Sequence, residues 1–136
     1  MGKIIAIDHG DRRIGLAISD ELKMIAFPYK TIDIKKDRFY IDTICKILND
    51  SKVCCIIVGW PISMSGNITS QTSKVENFIK RLEKQTSIDI VKIDERLTSA
   101  IAKRKMLEAG KKQKDNKGEA DMLAASIILQ DYLDNA

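Results

Sequence analysis

The sequence predicts an α/β fold in which helices flank a mixed central sheet. Three short apolar or alternating stretches joined by turns open the chain, and later apolar stretches alternate with segments of helical spacing. Consecutive strands joined by turns pair antiparallel, whereas strands separated by helices pair parallel. We therefore expect both kinds of pairing in one sheet. At 136 residues the chain has the length of a single domain, which we expect to span residues 1–136.

The first half of the chain predicts four strands and one helix. Strands are expected at Lys3 to Ile7, at Ile14 to Ser19 and at about Met24 to Ile32, because each stretch is apolar or alternating and ends in turn residues. Asp37 to Leu48 has its apolar residues at helical spacing. Val53 to Val58 is almost continuously apolar, as is typical of a parallel strand covered on both faces.

The second half predicts three helices and one strand. Ser70 to Leu82 has helical spacing, and Ile88 to Ile93 is a short apolar strand. A helix at Thr98 to Leu107, a polar linker at Glu108 to Lys117 and a last helix at Gly118 to Leu133 follow. The predicted order is therefore βββαβαβαα, in which the first strand and the two later ones end at the same edge of the sheet.

Composition excludes several classes of protein. Hydrophobic residues make up 44% of the chain and charged residues 31%, which is typical of a globular domain. No apolar stretch approaches the ~20 residues of a membrane span, and the N-terminus lacks the apolar segment of a signal peptide. We therefore expect a cytoplasmic protein without a membrane partner. The net charge of +4 permits nucleic-acid binding without requiring it.

The cysteines do not indicate a metal site. Cys45, Cys54 and Cys55 have no CxxC spacing, and the chain has one histidine. Because Cys54 and Cys55 lie inside an apolar strand, all three are predicted to be reduced thiols of the core.

Acidic residues stand at the ends of three predicted elements. Asp8 ends the first strand before a glycine turn, Asp94 and Glu95 end the strand that begins at Ile88, and Asp121 lies in the first turn of the last helix. Each has an ordinary explanation, since Asp favours turns and acids favour helix N-termini. Together they are consistent with a site assembled by folding at one edge of the sheet.

Four motifs resemble the YqgF/RuvX family of RNase H-like nucleases, in the same order and over nearly the whole chain. They are Asp8-x-Gly10-x-x-Arg13-x-Gly15, Val58-Gly59-Trp60-Pro61 with Met64-x-Gly66, Asp94-Glu95-Arg96-Leu97-Thr98, and Asp121-x-x-Ala124-Ala125-x-x-Ile128-Leu129-Gln130-x-Tyr132-Leu133. The chain departs from the family at Trp60, where Leu is common, and at Glu119-Ala120, where a bulkier apolar residue is usual. Neither departure removes an acid.

The resemblance implies an RNase H-like fold and a metal-dependent endonuclease. Asp8, Glu95 and Asp121 would be both catalytic residues and ligands of Mg²⁺ or Mn²⁺, most simply two ions, because hard cations take carboxylate oxygens. Strand alternation sends Asp94 and Glu95 to opposite faces, so that only one of them reaches the metal. The resemblance favours Glu95, with Asp94 as the alternate.

Three groups of residues are candidates for contacts with nucleic acid. The first is the loop after the strand predicted at Val53 to Val58. There Trp60 could equally be a core residue or stack on bases, and hydroxyls could hold phosphates. The second is arginines next to the acidic motifs. The third, called the basic segment, precedes Asp121. A run of charge is usually a solvated surface, but its place beside a candidate catalytic acid favours contacts with the nucleic-acid backbone. These candidates are Trp60, Ser63, Ser65, Arg12, Arg13, Arg96 and, in the basic segment, Lys111, Lys112, Lys114 and Lys117.

The resemblance leaves two substrates open, the 5′ end of precursor 16S ribosomal RNA and a branched DNA such as a Holliday junction. Precursor rRNA is favoured because paired cuts in a four-way junction need a symmetric dimer, whereas we expect a monomer or a weak homodimer. A catalytically idle nucleic-acid-binding module is the alternative from a different class.

Overall fold

The computed structural model describes residues 2–95 and 117–135, the side chain of Lys117 excepted. Its strands are β1 (Lys3–His9), β2 (Arg13–Ser19), β3 (Ala26–Asp33), β4 (Val53–Trp60) and β5 (Asp89–Asp94), and its helices are α1 (Tyr40–Asp50), α2 (Ser70–Glu83) and α3 (Lys117–Asp134). The helix predicted at 98–107 lies outside the described residues, and so does the linker predicted at 108–117 except for Lys117, which is the first residue of α3.

The five strands form one mixed sheet in the order β3-β2-β1-β4-β5. β1 pairs antiparallel with β2, and β2 with β3, whereas β1 with β4 and β4 with β5 are parallel. This confirms the predicted α/β class and its mixed sheet. The carboxyl ends of β1, β4 and β5 lie at one edge of the sheet, which we call the carboxyl edge.

Each face of the sheet has its own core. Alternation along β1 sends Ile5 and Ile7 into a cluster with α1 and α2, and Ile4 and Ala6 into a cluster with α3. These side chains are almost wholly buried, which stabilises the fold by about 1.5–3 kcal/mol for each large one. The two layers of helices fix where the carboxyl edge is open.

The first helix begins later than predicted. The sequence pattern predicts a start at Asp37, whereas α1 begins at Tyr40. The Asp37 carboxylate accepts hydrogen bonds from the Phe39 amide, at 3.0 Å, and from the Thr43 hydroxyl, at 2.7 Å. Such local bonds of Asp stabilise a turn in place of a further helical residue.

The prediction that all three cysteines belong to the core is wrong. All are free thiols, but Cys54 is exposed and Cys45 and Cys55 are half-buried. Lys3 pairs with Val53 while Ile4 pairs with Cys55, so Cys54 is the extra residue of a bulge. A bulge leaves its extra residue outside the ladder and changes its direction, which explains the exposure.

No helix in the described part of the chain combines the length and the apolar character that a bilayer-spanning segment needs.

Candidate active site at the carboxyl edge

Asp8 lies near the end of β1 on the face that α3 covers. It follows Ile4 and Ala6 by strand alternation, and it pairs directly with Gly15 of β2. Only 5% of its surface is exposed. A carboxylate is rarely this buried without a compensating charge, hydrogen bond or metal, so its position calls for a functional explanation.

Gly15 allows α3 to approach the sheet beside Asp8. A Cβ atom at this position would overlap the carbonyl carbon and oxygen of Asp121 and lie 3.0 Å from the amide nitrogen of Met122. Only glycine leaves room for the helix backbone here. The close approach sets the first turns of α3, and Asp121 with them, against the pair formed by Gly15 and Asp8.

Gly59, on the other side of Asp8, leaves room for the Glu95 side chain to lie close to the sheet. It follows Val58, the β4 partner of Ile7, so Gly59 is the neighbour of Asp8 on β4. A Cβ atom at Gly59 would lie 2.5 Å from Glu95 Oε1 and 3.2 Å from a carbon of α3. The Glu95 carboxylate therefore lies over β4 on the same face as Asp8.

Asp94 lies on the opposite face. It pairs with Trp60 at the end of the ladder between β4 and β5, and Trp60 packs against the core formed with α1 and α2. Alternation thus separates Asp94 from Glu95 as the sequence predicts, and Glu95 is the one that shares the face of Asp8. Its role as a ligand stays a prediction.

The carboxyl group of Glu95 has a strongly perturbed pKa. Only 8% of the residue is exposed. Burial, followed by repulsion from the Asp94 carboxylate, raises its pKa to about 7. A cation bound nearby would oppose both effects and favour the charged form. Perturbed acids of this kind cluster at functional sites.

Asp121 is held by Arg13. The Arg13 Nε atom donates a 2.8 Å hydrogen bond to Asp121 Oδ2, and this ion pair is largely shielded from solvent. Arg13 was predicted to contact nucleic acid, but in the structure its guanidinium is already paired with Asp121, a candidate metal ligand. Its neighbour Arg12 makes a 3.2 Å ion pair with Asp33 at the surface.

The acids do not form a ready-made cluster. Across residues 2–95 and 117–135, no three His, Cys, Asp or Glu side chains are close enough together to hold a metal ion. Asp8 on β1 and Glu95 after β5 share one face of the sheet, with β4 between them, and the Glu95 carboxylate reaches over β4 toward Asp8. Asp121 approaches the same face from α3. Their donor set, carboxylate oxygen alone, is still the set that suits a hard divalent cation.

His9 follows Asp8 but faces the other core. Its ring lies 4.8 Å from that of Phe78, and its Nδ1 atom is buried without a hydrogen bond to any described residue. Burial lowers its pKa, so the ring is neutral at pH 7.

The loop after β4 is held by its own polar side chains. The Ser63 and Ser65 hydroxyls lie 2.9 Å apart. The backbone N–H of Asn67 donates to the Ser63 hydroxyl, and the side-chain amide of Asn67 donates to the Ser65 hydroxyl, each at 3.0 Å. Gly66 adopts a φ of 89°, which favours glycine. The loop then enters α2 through a capping box at Thr69.

Trp60 is half-buried at the start of this loop. The Lys92 ammonium lies 4.3 Å from its ring centroid and pairs with Glu76 at 3.0 Å. Lys92 was not among the residues predicted from the sequence, because its contact with Trp60 joins two strands of the folded sheet. Arg96, Lys111, Lys112 and Lys114 lie outside the described residues, and Lys117 begins α3 without a described side chain.

A family model described as "RuvX: Holliday junction resolvase" matches residues 2–135. A protein of Roseiflexus sp. (strain RS-1) named "Putative pre-16S rRNA nuclease" is 38% identical over 134 residues, which cover 98% of this chain and 95% of that protein. The protein of the same name from Rickettsia conorii is 39% identical over 132 residues, 97% of this chain and 86% of that one.

Solved structures resemble the fold at low sequence identity. The structure titled "T. thermophilus RuvC in complex with Holliday junction substrate" has a TM-score of 0.64 at 11% identity and covers 98% of this chain and 94% of that one. The Fowlpox virus Holliday junction resolvase has a TM-score of 0.55 at 18% identity, with 98% and 99% covered. These likenesses concern the fold alone, and they confirm the predicted RNase H-like architecture.

Proposed function

The chain belongs to the RuvX family, whose members are nucleases and therefore hydrolases, and from this premise we propose that it is a metal-dependent endonuclease acting at the 5′ end of precursor 16S ribosomal RNA. The observation that carries the proposal is the row Gly15, Asp8 and Gly59 across three strands. It brings a buried carboxylate between two glycines, one under Asp121 and the other under Glu95.

The donor set fits divalent ions. Asp8, Glu95 and Asp121 are all buried at one edge of the sheet, and a bound cation would offset the cost of keeping several carboxylates there in the charged form. Asp8 and Glu95 would hold Mg²⁺ or Mn²⁺, and Asp121 would join them by exchanging its contact with Arg13. When bound, such ions stabilise charge on the phosphate and activate water.

The residues of the chain supply the positioning. The glycines set the acids against the sheet, and rigid strands hold Asp8 in place. Once released from Asp121, the Arg13 guanidinium would be available to a phosphate oxygen, for which its planar fork is suited. The basic segment would contact phosphates of the nucleic acid that lie further along the same strand from the cleaved bond.

Precursor rRNA is the favoured substrate because the relatives with 38–39% identity are named for it. A branched DNA is the second candidate, favoured by the description of the family model and by the titles of the structural neighbours. A binding module without catalysis would use only the basic surface, and would ignore both metal and Asp8.

The test compares Asp8→Asn with Asp11→Asn. Asp11 is a matched control, since it lies three residues further on, is 71% exposed at its side chain and pairs with Lys74 at the surface. Each full-length protein is incubated with a precursor rRNA 5′ leader, a generic single-stranded RNA and a four-way DNA junction, in Mg²⁺ and in EDTA.

We expect the wild type and Asp11→Asn to cleave the rRNA leader in Mg²⁺ only. Asp8→Asn should fold and bind RNA but not cleave it, because an amide keeps the shape and loses the charge. Wild-type rates from a folded Asp8→Asn protein would refute the proposal. Cleavage of the junction alone would transfer it to the second candidate.

A further inference from the structure

We propose that a pocket beside Trp60 binds one unpaired nucleobase next to the cleaved phosphate, so that the enzyme requires a single-stranded segment in its substrate. This deepens the proposed function and rests on it. The pocket, called the Trp60 pocket, is lined by Trp60, Ile68, Thr72, Ser73, Glu76 and Asn77.

The Trp60 pocket has the size and the walls for a flat ring. Its volume is about 190 Å³, and an apolar cavity of about 150 Å³ is enough to hold benzene. Trp60 provides an aromatic wall, and Ile68 provides an apolar one that is 71% exposed. Aromatic side chains at the surface are favourable partners for bases, because every base has a π-face.

The lining suits a base rather than a phosphate. Among the described residues, Glu76 is the one charged residue of the lining, and its carboxylate can accept hydrogen bonds from base amino groups. Lys92 does not line the pocket. It pairs with Glu76 and lies over the Trp60 ring, and so fixes the orientation of both.

A side-chain amide is available to read the edge of the base. Asn77 is exposed, and its side-chain amide makes no hydrogen bond to another described residue. Its amide can both donate and accept, as needed for the edge of an adenine or a cytosine. Thr72 is already committed, since its hydroxyl bonds to the Pro61 carbonyl and caps α2.

The pocket lies next to the acids but on the other face of the sheet. Trp60 follows Gly59, against which Glu95 packs, and alternation turns Trp60 to the α2 side. A strand with its phosphate at the acids can therefore place the neighbouring base over the carboxyl edge and into the pocket. A base inside a duplex is stacked and paired, and would first have to be extruded.

The experiment uses the fluorescence of Trp60, which is the only tryptophan of the chain. The full-length protein in EDTA is titrated with an octameric single-stranded oligo(A) RNA and with a GC-rich RNA duplex that stays fully paired under the same conditions. We expect saturable quenching by the single strand and none by the duplex. Binding of both RNAs is followed in parallel by the anisotropy of a 5′ fluorophore.

Three variants accompany the titration. Trp60→Leu should weaken single-strand binding about tenfold, within the range found for removal of one stacking partner. Asn77→Ala should weaken it about fivefold, the effect of one hydrogen bond. Tyr29→Leu, which removes an exposed aromatic from the far edge strand β3, should leave it unchanged.

Two results would overturn the inference. One is binding of single-stranded RNA, seen by anisotropy, without any change in Trp60 fluorescence. The other is unchanged affinity in both Trp60→Leu and Asn77→Ala. In either case Mg²⁺-dependent cleavage that is lost in Asp8→Asn would still support the nuclease itself, so the two proposals fail separately.

Discussion

Gly15→Ala should damage both the stability and the activity of the protein, because it separates α3 from the sheet. The added methyl group would overlap the carbonyl group of Asp121. Non-bonded heavy atoms settle about 3.5–4.0 Å apart, so α3 would have to withdraw by about 1 Å. The helix is not free to do so, because the Thr31 hydroxyl donates a 2.5 Å hydrogen bond to the Gly118 carbonyl at its first turn.

Overpacking of this kind costs about 1–3 kcal/mol in the free energy of unfolding. For a chain of this size that corresponds to a melting temperature lower by about 4–12 °C. A shift of 1 Å also moves Asp121 away from the other acids, and misplacement on that scale can cost about 10²-fold in rate. We therefore expect cleavage to fall further than the loss of folded protein explains.

The assay is urea denaturation together with initial rates of RNA cleavage at a temperature where all variants are folded. Gly118→Ala is the matched control. Its new methyl group would lie 3.5 Å from Thr31 Cγ2, an ordinary contact, and alanine is the better helix former. Gly118→Ala should therefore be neutral or slightly stabilising. A Gly15→Ala protein with wild-type stability and rate would refute the close approach of α3 to β2.

Three further predictions concern charge. The folded-state pKa of Glu95 is about 7, against an ordinary value of 4.5. Between pH 4.5 and pH 7 the folded protein therefore keeps a proton that the unfolded chain has lost. The free energy of unfolding should fall by up to about 3 kcal/mol as the pH rises through this range. Urea denaturation in EDTA at pH 5 and pH 8 should show this fall in the wild type and lose that contribution in Glu95→Gln; equal pH dependence in the two would contradict it. Arg13→Gln should destabilise the metal-free protein by about 1–3 kcal/mol, since Asp121 loses its partner. Mg²⁺ should raise the melting temperature of this variant more than that of the wild type, because the ion does not have to displace the Arg13 guanidinium from Asp121. Replacing the four lysines of the basic segment by Gln should flatten the dependence of log affinity for single-stranded RNA on log salt by about 0.7 per lost contact, and an unchanged slope would show that the segment is only a solvated surface.

Local patterns were enough to predict the mixed sheet and the separation of Asp94 and Glu95 onto opposite faces. The apolar stretches located β1, β4 and β5, and the alternation of side chains predicted that Asp94 and Glu95 would separate. These features depend on neighbours in the chain, and that is why a sequence pattern contains them.

Features that depend on distant contacts were not predictable in the same way. The need for Gly15 arises from the backbone of Asp121, and the partner of Arg13 lies 108 residues away in the chain. The exposure of Cys54 arises from a bulge whose position depends on pairing with β1. A glycine, an arginine and a cysteine each look unremarkable until the fold decides what they touch.

The order in which the acids occur along the chain has a consequence for protein synthesis. Within the matched region, Asp8 is made before Asp121 and before the helix that covers its face. While the ribosome still holds the residues after Glu95, the strands that carry Asp8 and Asp94 are already made, but α3 is not yet there to cover the face of Asp8. Domains generally fold as units. If cleavage requires Asp121, as proposed, the nascent chain stays inactive until α3 has left the exit tunnel and packed on the sheet.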